Sequence, residues 1–311
     1  MERVKECNIQ NDSNGRGAFM YPVKRKKAEN GFSNTHMIQK RYKGMEYLVF
    51  PKLEEISCIR HLFSTRLGGV SEGIYESMNL SFTRGDKEEK VEENFRRIAG
   101  IMGVAIEQFV LSHQTHTDNI RIVTKEDAGC GLTKPLGYEN VDGLITKEKG
   151  VVLSTFYADC VPIYLVDPVK EVIGLCHSGW KGTVMEIGAK TIEKMQKSFG
   201  CRPEDIYGAI APSICQDCYE VSGDVIEEVR KTFSPEKYRG DYADQLFYQK
   251  PDGKYQLNLW RACELTLLKA GLLPEHVEVT DICTCCNPDY LFSHRASMGK
   301  RGNLGAFLML L

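Results

Sequence analysis

Three short segments of the sequence carry side chains that could bind one metal ion or form one reactive thiol site. Histidine and cysteine are the best protein ligands for Zn²⁺, and three protein ligands leave a fourth position open, as in catalytic zinc sites. The chain has only seven histidines, so two of them in such settings predict a functional site. The segments are Gln114–His116, Tyr157–Cys160 and Cys176–Gly182.

The residues themselves leave the ligand set open. His113 and His116 are three residues apart, and either could be the ligand on local sequence alone. Cys160 follows one predicted strand, and Pro162, two residues further on, is expected to stop regular structure there. His177 ends another predicted strand, so the side chains of Cys160 and His177 lie close together if these strands are neighbours in one sheet. The alternative is a buried cysteine and an unrelated histidine, each with a structural role.

Two glycine-containing segments could bind an anion. Gly179–Thr183 opens a predicted helix, where free backbone amides and the charge of Lys181 favour an anionic group. The segment lacks the spacing of a P-loop. Phe63–Ser71 contains Arg66, hydroxyl groups and a Gly-Gly pair. For this second segment, the alternative is a plain turn between strands.

Twelve cysteines are a high number for 311 residues. The N-terminus does not resemble a signal peptide, so we expect a cytoplasmic protein whose thiols stay reduced. Two groups of cysteines resemble halves of a four-cysteine zinc site, although Cys285 makes the second half irregular. A redox-sensitive cluster, thiols that line a substrate site and a thiol-rich metal buffer are the alternatives. The groups are Cys215/Cys218 and Cys283/Cys285/Cys286.

Composition excludes two classes of partner. The 40 basic and 42 acidic residues nearly balance, so no net charge recruits nucleic acid or anionic lipid. No segment approaches the ~20 consecutive apolar residues of a membrane span. The sequence therefore predicts neither a nucleic-acid binder nor a membrane protein, and it carries no signal for an oligomeric state.

Strand and helix patterns alternate along the chain, which indicates one α/β or α+β domain. Residues 1–40 are polar and aperiodic, and we expect a disordered leader before a single domain of residues 41–311. The predicted strands cover residues 110–112, 150–156, 163–166, 172–176 and 306–311. The predicted helices cover residues 88–102, 183–199, 221–233 and 257–270.

Several of these motifs, taken together and in this order, resemble the YfiH/YlmD family of laccase-domain proteins. The resemblance covers roughly residues 47–311 and depends on Phe63–Ser71, Ser77–Leu80, Gln114–His116, Ala158–Pro162, His177–Thr183, Cys283–Thr284 and Phe292–Arg295. Two segments depart from the family pattern, at residues 257–263 and 301–304, and these departures bear on nucleoside preference.

The resemblance implies an α+β fold, a single four-layer α/β/β/α domain. It also implies that His116, Cys160 and His177 bind a catalytic zinc, which selects His116 over His113. The implied activity is phosphorolysis of adenosine, inosine, guanosine and methylthioadenosine, with adenosine deamination as a second reaction. Some members have been described as copper-dependent phenol oxidases.

The implied chemistry suggests roles for further residues. Arg66, Lys181 and Arg295 are candidates for phosphate, because guanidinium groups bind phosphate oxygens in a fork and lysine provides a point charge. Asp142 and Asp159 are candidates for ribose hydroxyls or proton transfer, and Asp159 could equally cap a strand end.

Two rival enzymes remain. One is a metal-free hydrolase with Cys160 as nucleophile and His177 as its base. The other is a copper oxidase, which seven scattered histidines do not favour.

Overall fold

A computed structural model of the chain describes residues 9–11, 17–27, 34–240 and 242–311. The predicted leader, residues 1–40, lies partly outside the described residues. Its described stretches contact the rest of the chain: Arg25 forms an ion pair of 2.7 Å with Asp281, and the ring of Tyr21 stacks on Tyr290 with centroids 5.0 Å apart. The first strand of a large sheet crosses residue 40, and the domain boundary at residue 41 stays a prediction.

Short and medium-length strands make up most of the regular structure. They are β1 (Ile9–Asn11), β2 (Gly17–Phe19), β3 (Ile38–Tyr42), β4 (Met45–Val49), β5 (Ile59–Ser64), β6 (Phe109–Leu111), β7 (Ile120–Ile122), β8 (Gly143–Thr146), β9 (Val152–Tyr157), β10 (Val161–Asp167), β11 (Val172–Ser178), β12 (Tyr207–Ile210), β13 (Glu220–Val221), β14 (Phe247–Gln249), β15 (Tyr255–Leu257), β16 (Val277–Val279) and β17 (Leu304–Leu310).

The helices vary from one turn to four. They are α1 (Pro51–Glu54), α2 (Glu88–Met102), α3 (Trp180–Val184), α4 (Ile187–Phe199), α5 (Gly223–Thr232), α6 (Pro235–Tyr238), α7 (Ala243–Leu246) and α8 (Leu259–Lys269). Among the described residues, no helix combines the length and the apolar character needed to cross a membrane.

Two six-stranded sheets form the middle of the fold. The first has the strand order β16-β12-β10-β11-β8-β7, and the second has the order β3-β4-β5-β17-β9-β6. One core packs α4 and α8 on the first sheet, a second fills the space between the sheets, and a third packs α2 on the second sheet. These layers confirm the expected α+β fold with α/β/β/α order.

Strand β10 shows why the central strands are apolar throughout. Successive side chains of a strand point to opposite faces, so Ile163 and Leu165 face the helix layer. Tyr164 and Val166 face the other sheet. Both faces are dry, and all seven residues of the strand are buried.

The chain passes from one sheet to the other between β9 and β10, and this crossing corrects two expectations. The sequence brought Cys160 and His177 together on the condition that the strands before them are neighbours in one sheet, but β9 and β11 belong to different sheets. We also expected Pro162 to end regular structure. Instead β10 begins at Val161 and pairs antiparallel with β11, with Pro162 opposite His177. Cys160 therefore lies near His177 because it directly precedes β10, the strand that pairs with β11.

The predicted helix over residues 183–199 is wrong as a single element. Helix α3 begins earlier, at Trp180, and α4 begins at Ile187. Between them Glu186 has a φ of +58°, in the left-handed region, which ends one helix before the next begins. Trp180 and Lys181, the first residues of α3, line a large cavity, while α4 packs on the first sheet.

Candidate metal centre and substrate cavity

The buried carboxylate of Asp142 organises the loop that carries His116. The backbone N–H groups of Thr115 and Thr117 donate to Asp142 Oδ2 at 3.1 and 2.8 Å. The N–H of His116 donates to Oδ1 at 3.1 Å. His116 has a φ of +64°, a conformation that a non-glycine residue adopts only where its surroundings hold it. Asp142 thereby fixes the direction of the His116 side chain.

The same carboxylate orients His177, which lies near the end of β11. Its Nδ1 is 2.7 Å from Asp142 Oδ1, so the other ring nitrogen, Nε2, is the one available to a ligand. The two imidazole rings meet edge to face, with centroids 4.9 Å apart. A carboxylate that orients a histidine in this way is the usual support of a metal-binding imidazole.

Cys160 is placed by the sharp turn at which the chain changes sheets. Asp159 has a φ of +87° and is held by two bonds. Its Oδ1 accepts a hydrogen bond from the hydroxyl group of Thr284 at 2.7 Å, and its Oδ2 accepts one from the backbone N–H of Arg295 at 2.7 Å. These bonds fix the turn, and the Cys160 Sγ then lies 3.8 Å from His116 Nε2.

One ligand atom from each of His116, Cys160 and His177 lies within 4.8 Å of the others. Burial by itself would raise the pKa of Cys160, but the charge of His177 and hydrogen bonds from both histidines lower it to about 6. Burial would lower the pKa of His177, but the Cys160 thiolate and the Asp142 carboxylate raise it to about 9. Cys160 is therefore a thiolate at neutral pH, the form that binds metal ions or acts as a nucleophile. His177 is protonated at that pH, and a metal ion that binds its Nε2 would displace the proton.

Gly179 leaves the space that a metal ion needs beside these groups. A Cβ atom at this position would lie 2.8 Å from His116 Cδ2, closer than two carbon atoms tolerate, and 3.2 Å from Cys160 Sγ, a tight contact. Zn–S bonds of about 2.3 Å and Zn–N bonds of about 2.0 Å put tetrahedral ligand atoms about 3.5 Å apart. Two imidazoles and one thiolate at these separations fit a Zn²⁺ ion with one position left open.

The cluster lies in a cavity of about 1060 Å³, which is larger than most small-molecule sites. Apolar and aromatic side chains form much of its wall, and cations lie around it. The apolar group includes Leu111, Leu132, Leu136, Phe156, Trp180, Ile214 and Tyr219, and the cations are Arg84, Lys134, Lys181, Arg295 and Arg301. Such a wall suits a flat heterocycle together with an anionic group.

The predicted substrate residues divide into two groups. Asp159, Lys181 and Arg295 line the cavity. Arg295 also donates to the carbonyl oxygens of Cys218 and Glu220, at 3.2 and 2.9 Å. These donations leave the guanidinium of Arg295 anchored to the loop that carries Tyr219.

Arg66 and Asp142 do not line the cavity. Arg66 donates to the carbonyl oxygens of Glu76 and Pro288, at 2.8 and 2.7 Å. Its guanidinium lies 4.7 Å from the ring centroid of Phe292. Asp142 is fully buried, and its oxygens are occupied by the bonds described above. We therefore retain neither the predicted phosphate role of Arg66 nor the predicted ribose or proton-transfer role of Asp142.

Arg84 and Arg301 are cavity residues that the sequence reasoning missed. Arg301 is 7% exposed, and its Nε has no hydrogen-bond partner among the described residues. Burial, and then the charge of Arg84, lower the pKa of Arg301 to about 10. Two cations that repel each other, one with an unpaired buried donor, are typical of an anion site. Arg301 was noted only as a departure from a family motif, and Arg84 carried no local signal.

Comparison with known proteins agrees with this architecture. Residues 60–311 match the family model described as multi-copper polyphenol oxidoreductase laccase. The chain is 36% identical over 247 residues to the purine nucleoside phosphorylase YlmD of Bacillus subtilis, covering 79% of this chain and 86% of the relative.

A second relative and a solved structure extend the comparison. The adenosine deaminase RL5, from an unknown prokaryotic organism, is 30% identical over 235 residues, with 75% of this chain and 87% of the relative covered. The crystal structure of YlmD from Geobacillus stearothermophilus superposes with a TM-score of 0.80 at 33% identity, covering 88% of this chain and 99% of that one.

Proposed function

Because the chain belongs to the YfiH/YlmD family of laccase-domain proteins, we propose that it is a zinc-dependent purine nucleoside phosphorylase. Its substrates in this proposal are adenosine, inosine, guanosine and methylthioadenosine, each with phosphate. The products are the free base and ribose 1-phosphate, or its methylthio derivative. Adenosine deamination is a second reaction of the same site.

The observation that carries the proposal is a three-ligand cluster inside a cavity with cations around it. His116, Cys160 and His177 offer two nitrogens and one thiolate within 4.8 Å of one another, and all three line the cavity. We assign them as the zinc ligands, with Asp142 as the positioning residue for His177. Zinc bound here would supply Lewis-acid chemistry to a polar atom of the substrate.

We assign phosphate to the cations of the cavity. Arg301 supplies a buried guanidinium whose Nε has no partner among the described residues, and Arg84 supplies an exposed guanidinium beside it. Lys181 and Arg295 add further positive charge to the cavity. In phosphorolysis a phosphate oxygen bonds to ribose C1′ as the glycosidic bond breaks. The purine leaves with the bonding electron pair and takes up a proton. Cations that hold phosphate beside the ribose lower the charge repulsion in that step.

The apolar part of the cavity would hold the purine. Phe156 and Trp180 are half-buried aromatic side chains in the cavity wall, and aromatic faces stack on heterocycles without reading a particular base. This feature supports acceptance of several purines by one site.

The compartment is part of the proposal. We place the reaction in the cytoplasm, where the free thiols of the described cysteines would stay reduced.

The thiolate form of Cys160 beside His177 also favours a second candidate, the metal-free hydrolase. In that case Cys160 attacks the substrate directly and water replaces phosphate as the final acceptor. The copper oxidase has weaker support, because only two groups of side chains among the described residues could hold a metal ion, whereas multicopper oxidation uses several copper sites.

Zinc removal and restoration test the proposal against these alternatives. Purified protein would be treated with a chelator and then given Zn²⁺, Cu²⁺ or no metal, and hypoxanthine release from inosine would be followed with and without phosphate. We expect activity only with zinc and phosphate together. Cys160→Ala should lose the zinc ion of this site and the activity, whereas Cys58→Ala, which changes a cysteine outside the cavity, should keep both. Activity that survives complete zinc removal would support the hydrolase instead.

A further inference from the structure

A second group of side chains, far from the catalytic ligands in sequence, has the composition of a metal site. Cys215, Cys218, Cys283 and Cys286 each offer an Sγ atom within 4.8 Å of the others. The sequence spacing is Cys-x₂-Cys in both halves once Cys285 is set aside, and such pairs are typical of structural zinc sites. The proposed phosphorylase activity does not use these thiols.

The sulfur separations fit one tetrahedral ion. With Zn–S bonds of about 2.3 Å, the thiolates of a tetrahedral site lie about 3.8 Å apart. Here Cys218 Sγ is 3.5 Å from Cys286 Sγ, and Cys215 Sγ is 4.0 Å from Cys286 Sγ. A disulfide requires about 2.05 Å, and all four cysteines are free.

The local backbone presents the thiols in the way that metal-binding turns do. The N–H of Cys218 donates to the carbonyl of Cys215 at 3.1 Å, which closes the first turn. The N–H of Cys215 donates to Cys283 Sγ at 3.2 Å, a bond that favours the thiolate form. Lys26 pairs with Asp217 at 2.7 Å. Burial would lower the pKa of Lys26, but the hydrogen bond to Asp217, and then the charges of Cys215 and Cys286, raise it.

The charge near the four cysteines also fits a bound zinc ion. Four thiolates around a divalent cation carry a net charge of about −2, which a low-dielectric setting disfavours unless positive groups are near. The Lys26 ammonium supplies such a group from the N-terminal stretch.

We propose that Cys215, Cys218, Cys283 and Cys286 hold a second, structural Zn²⁺. This ion would join the loop of residues 214–219, which lines the cavity through Ile214 and Tyr219, to the loop of residues 283–286. No open position is left once four thiolates bind, so the ion has no catalytic role. Elsewhere the two loops are joined by individual hydrogen bonds, such as the one that the N–H of Thr284 donates to the carbonyl of Ser213 at 3.1 Å.

The position of this site explains what it would stabilise. Thr284, between two of the cysteines, donates to the Asp159 carboxylate that holds the turn at Cys160. The carbonyl of Cys218 accepts a bond from the Arg295 guanidinium. Loss of the ion should therefore loosen the wall that carries Arg295 and Ile214, both of which line the cavity.

Anomalous diffraction from crystals of the full-length wild-type protein tests the site without any variant. Data collected above and below the zinc absorption edge should show a difference peak among the four Sγ atoms. The peak at the catalytic ligands is scored separately, so failure of either assignment leaves the other intact. A peak at the iron edge instead, no peak, or a Cys218–Cys286 disulfide would overturn the proposal.

Metal content of variants gives an independent test. The wild-type protein should carry about two zinc ions per chain, one for each site. Cys286→Ser should carry about one and lower the melting temperature, and Cys285→Ser, which changes the neighbouring thiol outside the set, should carry about two. If Cys286→Ser does not fold, alkylation of the wild-type protein provides the readout. The four thiols should resist iodoacetamide until a chelator is added, and equal labelling with and without chelator would contradict the proposal.

Discussion

Replacing Asp142 with asparagine isolates the group that orients the metal ligands. The carboxylate accepts five hydrogen bonds: Oδ2 accepts two N–H groups and the Thr117 hydroxyl, and Oδ1 accepts the N–H of His116 and pairs with His177 Nδ1. An amide has one oxygen and one NH₂ group. In either orientation the NH₂ group faces N–H or O–H groups whose hydrogen bonds the carboxylate accepts in the wild-type protein.

The orientation of the amide decides how His177 responds. If the NH₂ group takes the place of Oδ1, it can bond His177 only when Nδ1 becomes the acceptor. The proton then sits on Nε2, the nitrogen that should bind zinc, and the ligand is lost until the proton moves. If the NH₂ group takes the place of Oδ2, it opposes both N–H groups of the His116 loop.

Both outcomes weaken zinc binding while the core stays packed. Loss of a carboxylate that supports a metal-binding histidine typically lowers metal affinity roughly 10- to 100-fold, or about 1.4–2.7 kcal/mol. Competition with a chromophoric chelator would measure the zinc Kd of Asp142→Asn, and circular dichroism would check the fold. Asp118→Asn is the matched control, because Asp118 lies in the same loop and pairs with Lys190 at the surface. Equal zinc affinity in Asp142→Asn and the control would refute this role.

Three further predictions address space, charge and pH. Gly179→Ala should lower zinc affinity about fivefold or more, since its methyl group would press on His116 at a cost of about 1–3 kcal/mol. Gly223→Ala should not, because a Cβ there makes only an ordinary van der Waals contact of 3.8 Å with Tyr255. Arg301→Ala should raise the KM for phosphate roughly tenfold to a hundredfold, as expected for a lost charge-assisted bond, and should spare the deamination of adenosine; equal loss of both reactions would argue against a phosphate contact. Burial lowers the pKa of His61 from 6.5 to about 3. Between these pH values His61 is protonated in the unfolded chain but neutral in the folded protein, so the free energy of unfolding decreases as the pH falls below about 6.5. From pH 7 to 5 the loss should be on the order of 2 kcal/mol, and urea titrations should show a smaller loss for His61→Gln.

The local periodicity of apolar residues was enough to predict elements that bury one face. Helix α2 was predicted at residues 88–102 and has those bounds. Its apolar positions Val91, Phe95, Ile98 and Met102 recur at helical spacing and face the second sheet. Such a pattern records which face is buried, so no knowledge of distant partners was required.

Pairing between distant strands was not accessible in the same way. The crossing at Asp159 moves the chain between sheets, and nothing in the sequence near Cys160 states which sheet the next strand joins. Pro162 was interpreted as a breaker, but a proline is tolerated at the beginning of a strand where its missing N–H is not needed. The set of His116, Cys160 and His177 was predicted from side-chain chemistry and family motifs, and the condition that the two preceding strands are neighbours in one sheet is not met.

The placement of cations depended on the same long-range information. Arg66 and Arg301 have the same chemistry, and glycine neighbours follow both. Arg66 stacks on Phe292 and bonds loop carbonyls, whereas Arg301 lines the cavity. Which guanidinium faces the cavity depends on how residues 63–71 and 288–304 pack, and local sequence does not record that packing.

The balance of products from inosine tests the central claim most directly. Zinc-loaded protein would be incubated with inosine and phosphate, and hypoxanthine, ribose 1-phosphate and free ribose would be measured in the same samples, with His177→Ala as the inactive control. We predict equal amounts of hypoxanthine and ribose 1-phosphate, no free ribose, and no reaction without phosphate. Free ribose in amounts equal to hypoxanthine, formed whether or not phosphate is present, would contradict phosphorolysis at this site.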